Sequence, residues 1–185
     1  MLDPLLAGAA VADFFSGSGS FGLEALSRGA RHGWFAELDA AAVTALKQNI
    51  EMLGVAAQAT IWRGDILHRL DGWLADLPGP LDIISLDPPF EMARHWFGLA
   101  GRPQPDADAE PHPSDRREQA ARQQAAHILA SLAAALAPDG LIVVRTPHNV
   151  RVAELPADLV EDRRREYGAM ALTFLRRGMT PNPAE

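Results

Sequence analysis

Short apolar runs alternate along this chain with longer segments in which apolar side chains recur every three or four positions. The first kind of pattern fits buried strands and the second fits helices that cover them. Residues 10–15 (AVADFF) form an apolar run stopped by Ser16-Gly17, which predicts a strand feeding a glycine turn. Leu23, Leu26 and Ala30 then share a helical face, with Gly29 placed to end that helix. His32 to Glu37 (HGWFAE) predicts a second strand. Asp39 predicts the N-cap of a helix through Val43, Leu46, Ile50 and Leu53, stopped by Gly54.

The second half repeats this alternation. Residues 57–63 predict a third strand, and residues 66–77 a helix ended by Pro78-Gly79-Pro80. Residues 81–86 (LDIISL) predict a fourth strand running into Asp87-Pro88-Pro89-Phe90. Residues 101–115 carry four prolines and almost no apolar side chains, so a flexible loop is expected there. Residues 116–136 return to helical spacing, ended by Pro138-Asp139-Gly140; residues 141–145 (LIVVR) predict a fifth strand. Residues 165–167 and 171–176 read as a closing pair of strands around Gly168. Strands alternating with helices imply an α/β fold with a mostly parallel sheet.

Composition narrows the class. With 185 residues, 48% hydrophobic and 22% charged, the chain has the length and apolar content of one domain, residues 1–185, with a substantial core. It has no cysteine, which excludes disulfides, thiolate nucleophiles and Cys-ligated metals. No apolar run reaches the ~18 residues of a membrane span, and the N-terminus lacks the basic start of a signal peptide. A soluble, cytoplasmic protein is expected. Seventeen Lys and Arg against 24 Asp and Glu give a net charge of −7. That balance argues against a broad electrostatic grip on nucleic acid.

The candidate chemistry sits at the predicted strand ends. Gly17-Ser-Gly19-Ser-Phe-Gly22 matches G-x-G-x-x-G between a strand and a helix, where backbone can approach a ligand closely. A nicotinamide dinucleotide and an adenosyl amino acid both fit such a loop. Asp13, four residues before the first glycine, would repel a pyrophosphate but could accept from an ammonium or an ordered water. Glu37 is placed for two ribose hydroxyls, and Asp65 for an adenine amino group. Each has a plainer use as a turn cap, a solvated side chain or a helix cap. Their order, one at the end of each successive strand, favours the adenosyl amino acid.

Asp87-Pro88-Pro89-Phe90 follows an apolar strand directly. Its prolines remove two N–H donors and leave carbonyls free to face a cleft. A carboxylate beside such a carbonyl can accept both hydrogens of an exocyclic amine, which turns the nitrogen lone pair toward an electrophile. Phe90 offers a ring on which a planar base can stack. The scattered Trp34, Trp62, Trp73 and Trp96 suit packing, and His95 and His148 suit the surface. Arg163-Arg164-Arg165 and Arg176-Arg177 are solvated faces or a phosphate-binding patch.

Together these residues resemble the class I S-adenosylmethionine-dependent methyltransferases, and more narrowly the RsmD-type 16S rRNA (guanine-N2)-methyltransferases. The segments that carry the resemblance are 13–30 (DFFSGSGSFGLEALSRGA), Phe35-Ala-Glu37, Asn49, Gly64-Asp65, 82–90 (DIISLDPPF) and Tyr167-Gly168. The resemblance implies a Rossmann-like, mostly parallel seven-stranded sheet with a C-terminal antiparallel strand and helices on both faces. It implies S-adenosyl-L-methionine held by Asp13, Phe15, Ser16, Gly17, Gly19, Gly22, Glu37, Leu38, Asp65, Ile66 and Asp87. The acceptor would be met by Asp87, Pro88, Pro89 and Phe90, with no metal. The implied partner is RNA, either 16S rRNA or a small-subunit particle, acted on by a monomer away from any membrane. Relatives of this type carry several dozen residues, including an Arg-Pro-Thr segment and a helix, before the first strand. That cap is expected to be missing here. The alternatives are methylation of another planar amine (DNA adenine N6 or a protein glutamine), a nicotinamide-dependent oxidoreductase, or a cofactor-binding module without catalysis.

Overall fold

The computed structural model describes residues 3–98, 113–152 and 154–178. After a single helical turn, α1 (Asp3–Leu6), the chain runs through β1 (Ala10–Phe14), α2 (Ser20–Ser27), β2 (His32–Glu37) and α3 (Ala40–Met52). It continues through β3 (Ala59–Arg63), α4 (Ile66–Ala75), β4 (Leu81–Leu86) and α5 (Phe90–Phe97). The last part is α6 (Pro113–Ala135), β5 (Leu136–Pro147), β6 (Leu159–Tyr167) and β7 (Met170–Arg177).

The strands form one seven-stranded sheet in the order β3-β2-β1-β4-β5-β7-β6. Strands β1 to β5 pair in parallel, and β7 lies antiparallel to both of its neighbours. This is the Rossmann-like class I arrangement, with one antiparallel strand near the C-terminus.

Alternation along each strand divides the core in two. Ala12, Phe14, Trp62, Ile84 and Leu86 face α4, α5 and α6, where Leu70, Trp73, Trp96, Ile128 and Leu132 are buried against them. Val11, Phe35 and Ile83 face the other way, onto Leu23, Leu26, Leu46 and Ile50 of α2 and α3. All four tryptophans are buried, and Trp62 and Trp73 stack with ring centroids 5.6 Å apart. Asp39 caps α3 by accepting from the Ala42 N–H at 2.8 Å. At the amino edge of the sheet, Asp82 accepts from the Ala10 N–H at 2.8 Å and pairs with Arg31 at 2.9 Å.

The structure departs from the sequence expectation in several places. Residues 56–58 form a 3-10 turn, so β3 begins at Ala59, and α4 stops at Ala75. Phe90 to Phe97 is a helix that the sequence reading did not anticipate. Of the loop expected at 101–115, residues 101–112 lie outside the described residues, and 113–115 belong to α6. Pro138-Asp139-Gly140, expected to end the helix, lies instead within β5, since α6 already stops at Ala135. The sheet absorbs it as an irregularity between the Leu81–Leu136 and Ile83–Leu141 pairings.

Gly22 is where α2 meets the sheet most closely. A Cβ there would stand 2.3 Å from the ring of Phe35, which is wholly buried. Gly22→Ala is therefore expected to cost about 1–3 kcal/mol of stability by overpacking, read as a lower urea midpoint at unchanged m-value. An unchanged midpoint would show that the ring moves aside freely.

Candidate functional site

The strand order reverses direction of growth between β1 and β4. Connections leaving such a point diverge and open a crevice beyond the carboxyl ends of the strands. Phe15, Glu37, Asp87, Pro88, Pro89, Phe90 and Arg145 line a cleft of about 370 Å³ at that edge.

The glycine loop adjoins it through Phe15 and is tied to Glu37 by the Gly17 N–H. Phe15 has φ 62°, a left-handed backbone uncommon for an aromatic residue. Its ring is held edge-on against Trp96 at 5.9 Å between centroids. Such strain concentrates at functional positions. Gly17 (φ 56°) has open space where a side chain would stand, whereas a Cβ on Gly19 (φ 89°) would lie 2.5 Å from Leu46. Gly19 is the N-cap of α2 and brings no capping side chain; in the first turn of that helix it is Asp13 of β1 that accepts from an N–H, that of Gly22. Asn49 steadies the loop by donating to the Ser18 carbonyl at 2.9 Å. The Ser16 hydroxyl is buried with no partner among the described residues.

The acidic residues at the strand ends do different things. Glu37 accepts from the Gly17 N–H at 2.8 Å through one oxygen and from the Leu38 and Asp39 N–H groups at 2.8 Å through the other. The oxygen that faces Gly17 keeps lone-pair capacity for a hydroxyl, while the other already accepts twice. Asp13 is buried and accepts from the Gly22 N–H at 3.1 Å, with the Ser85 hydroxyl also bonded to it. Its carboxylate is thus turned into the protein to tie β1 to α2, rather than standing open to a ligand's ammonium. Asp65 caps α4 by accepting from the Leu67 N–H at 3.0 Å and faces His68 Nδ1 at 3.2 Å. The plainer capping use is what the structure shows for it. Ile66 is buried in the core, and Leu38 is 63% exposed beside Glu37.

Asp87 stands at the end of β4, with the Asp87 N–H bonded to the Phe14 carbonyl at 3.2 Å. Burial raises its pKa, and the neighbouring Arg145 opposes that rise. The Arg145 Nε lies 2.8 Å from Asp87 Oδ1, and the guanidinium sits 5.5 Å from the centre of the Phe90 ring. The sequence reading missed Arg145. Its place shows only in the sheet: β5 pairs Val144 with Leu86, so the charged residue that follows Val144 is level with Asp87. Ser85, a polar residue inside an apolar strand, was missed too.

The basic runs are largely occupied. Arg164 donates to the His148 carbonyl at 2.6 Å, Arg177 to the Ala133 carbonyl at 2.7 Å, and Arg163 and Arg176 both pair with Asp162. Arg163 and Arg176 thus meet across the β6–β7 hairpin, while Arg164 and Arg177 tie it to the β5–β6 connection and to α6. His95 and His148 are exposed. No helix among the described residues is long and apolar enough to cross a membrane.

Known proteins show the same pattern. The family described as Conserved hypothetical protein 95 matches residues 1–96. YlbH of Bacillus subtilis, described as a candidate rRNA methyltransferase, is 28% identical over 177 residues, covering 96% of this chain and 80% of that protein. Ribosomal RNA small subunit methyltransferase D of Haemophilus influenzae is 36% identical over 83 residues, 43% of this chain and 41% of that protein. Among solved structures, yhhF of Escherichia coli, described as a candidate methyltransferase, superposes with a TM-score of 0.69 at 24% identity. That match covers 97% of this chain and 82% of yhhF.

Burial, above all, pushes the Asp13 carboxyl from 3.8 up to about 6; hydrogen bonds from Ser85 and Gly22 pull it down, and the charges of Asp87 and Glu37 add to the rise. The folded protein thus keeps this proton where the unfolded chain has lost it, so ionising Asp13 costs stability as pH climbs from 3.8 to about 6. The stability of Asp13→Asn relative to the parent is expected to rise across that window and level off above it, measured by urea unfolding at stepped pH. A difference that stays constant with pH would show that Asp13 carries no buried-charge penalty.

Proposed function

We propose, from the premise that the chain belongs to the family described as Conserved hypothetical protein 95, the RsmD family, that it is an rRNA methyltransferase. In this reading it uses S-adenosylmethionine and acts on an exocyclic amine, guanine N2 of small-subunit rRNA. The carrying observation is the juxtaposition in one cleft of Asp87-Pro88-Pro89-Phe90 with Glu37, which in turn holds the glycine loop by the Gly17 N–H.

The residues present fit the cofactor. Gly17 leaves room for close approach, Ser16 has an unsatisfied hydroxyl, and Glu37 retains acceptor capacity. Glu37 would take the ribose, the exposed Leu38 would cover one face of the adenine, and Ser16 and Gly17 would meet the amino-acid end. When bound, S-adenosylmethionine supplies an electrophilic methyl group. Asp13 would act by keeping the loop in shape rather than by touching the ligand. Asp65 and Ile66 would contribute through the position of the β3–α4 turn.

On the acceptor side, Phe90 would stack against the base and Asp87 would accept hydrogens of the amine, aided by the proline-rich backbone. Asp87 must be anionic for this. Positioning and alignment of the two reactants would supply most of the rate. Guanine N2 has to leave its stacked or paired surroundings to enter the cleft. The overall charge of −7 argues that RNA is gripped locally around the cleft, not over a wide basic surface.

Calorimetric titration with S-adenosylhomocysteine beside NADH is the deciding measurement. Micromolar binding of the former alone, about −8 kcal/mol, is expected; binding of NADH alone would replace this reading with the oxidoreductase. Asp87→Ala is expected to abolish methyl transfer to undermethylated small subunits and to leave S-adenosylhomocysteine affinity nearly unchanged. Glu37→Ala should weaken that affinity by roughly 10- to 100-fold, the worth of hydrogen bonds to a charged group. Loss of cofactor binding in the Asp87 variant would move Asp87 out of the acceptor site.

A further inference from the structure

Arg145 is the feature of the cleft that the proposed roles leave unused. Its contact with Asp87 has an unusual form. Nε and Oδ1 are 2.8 Å apart, yet both atoms are buried and neither has an aligned hydrogen-bond partner. The pair is held by charge. A buried donor and a buried acceptor, side by side and both unsatisfied, are costly in a free protein. They become satisfied together when a ligand offers a donor to one and an acceptor to the other. The two Nη nitrogens also have no hydrogen-bond partner among the described residues, and Arg145 lines the cleft. Phe90, 5.5 Å from the guanidinium, fixes the plane in which a flat ligand would lie.

The geometry points to Asp87 and Arg145 as a two-point reader of the acceptor group: Asp87 accepts from the target amine while Arg145 donates to the lone-pair atom that flanks it. This rests on the methyltransferase reading and narrows its substrate class. The acceptor must be an amine bonded to a carbon that also bears, or lies next to, a hydrogen-bond acceptor, as guanine N2 is beside N3. A simple alkylamine such as a lysine side chain lacks that second atom and is excluded. Arg145 has a second effect through charge. The charged groups facing Asp87 are Arg145 from β5, Asp13 from β1 and Glu37 across the cleft from β2. Arg145 alone among them favours the anion.

The test compares Arg145→Met and Arg145→Lys with the parent chain, using small ribosomal subunits from cells lacking the corresponding methyltransferase. S-adenosylhomocysteine affinity in both variants is expected to match the parent, which establishes a folded cofactor site. Arg145→Met should lower kcat/KM by about 10- to 100-fold, chiefly through KM, and should move the acid limb of the rate profile to higher pH. Lysine keeps the positive charge but not the planar fork, so Arg145→Lys should restore the acid limb and leave KM raised. Parental kcat/KM in Arg145→Met would overturn the inference, as would recovery of both KM and acid limb by lysine. Failure of the parent chain itself to methylate the particles would instead remove the methyltransferase reading, and this inference with it.

Discussion

Parallel strands all present their carboxyl ends to the same edge of a sheet. In this chain six of the seven strands do so, β1 to β5 as direct neighbours, and β1 is the one from which the others are laid down in opposite directions. The connections after β1 and after β4 must therefore part company. No helix can close the gap between them without breaking the connectivity. The cleft follows from this constraint before any side chain is considered. The residues that line it are those that happen to come first after each strand: Phe15, Asp87 and their neighbours.

That edge gathers three carboxylates, Asp13, Glu37 and Asp87, in a protein already carrying seven excess negative charges. Each is stabilised in a different manner. Glu37 is surrounded by backbone amides of its own turn and of Gly17, and Asp13 by the Gly22 amide and a serine. Amides fixed in a fold cannot swing away, so these two carboxylates act as struts. Asp87 relies on an arginine side chain, a partner with several rotatable bonds. The carboxylate assigned to the chemistry is the one whose partner is free to rearrange.

Most of the fold was legible in the sequence because the parallel strands are buried on both faces and read as unbroken apolar runs. β2 and β4 were bounded to the residue. Glu37 and Asp87, which the structure brings to one cleft, stood out because each comes at the end of a strand marked by a turn. Two kinds of feature escaped. The helix at Phe90–Phe97 follows two prolines and mixes charged with aromatic residues, so its periodicity is short and masked. Arg145 and Ser85 acquire meaning only through strand neighbours distant in sequence. No local pattern can say which strand lies beside which. Asp65 shows that one spacing serves two readings: it suits a ligand, and in the structure the same carboxylate caps α4.

The placement of β7 has a consequence for how the protein is made. β7 follows β6 in the chain but lies inside it, between β5 and β6. While the polypeptide emerges during translation, β5 and then β6 are present with nothing to join them. The open edge of β5 stays unpaired until residues 170–177 appear. Only then can the hairpin around Gly168, with Tyr167 paired to Met170, slot into place as one piece. The nascent chain thus carries an adhesive border late in its synthesis, from the completion of β5 at Pro147 to the arrival of β7 at Met170. A chain cut short just before β7 would lose the central member of that three-strand border and leave β6 without a neighbour in the sheet.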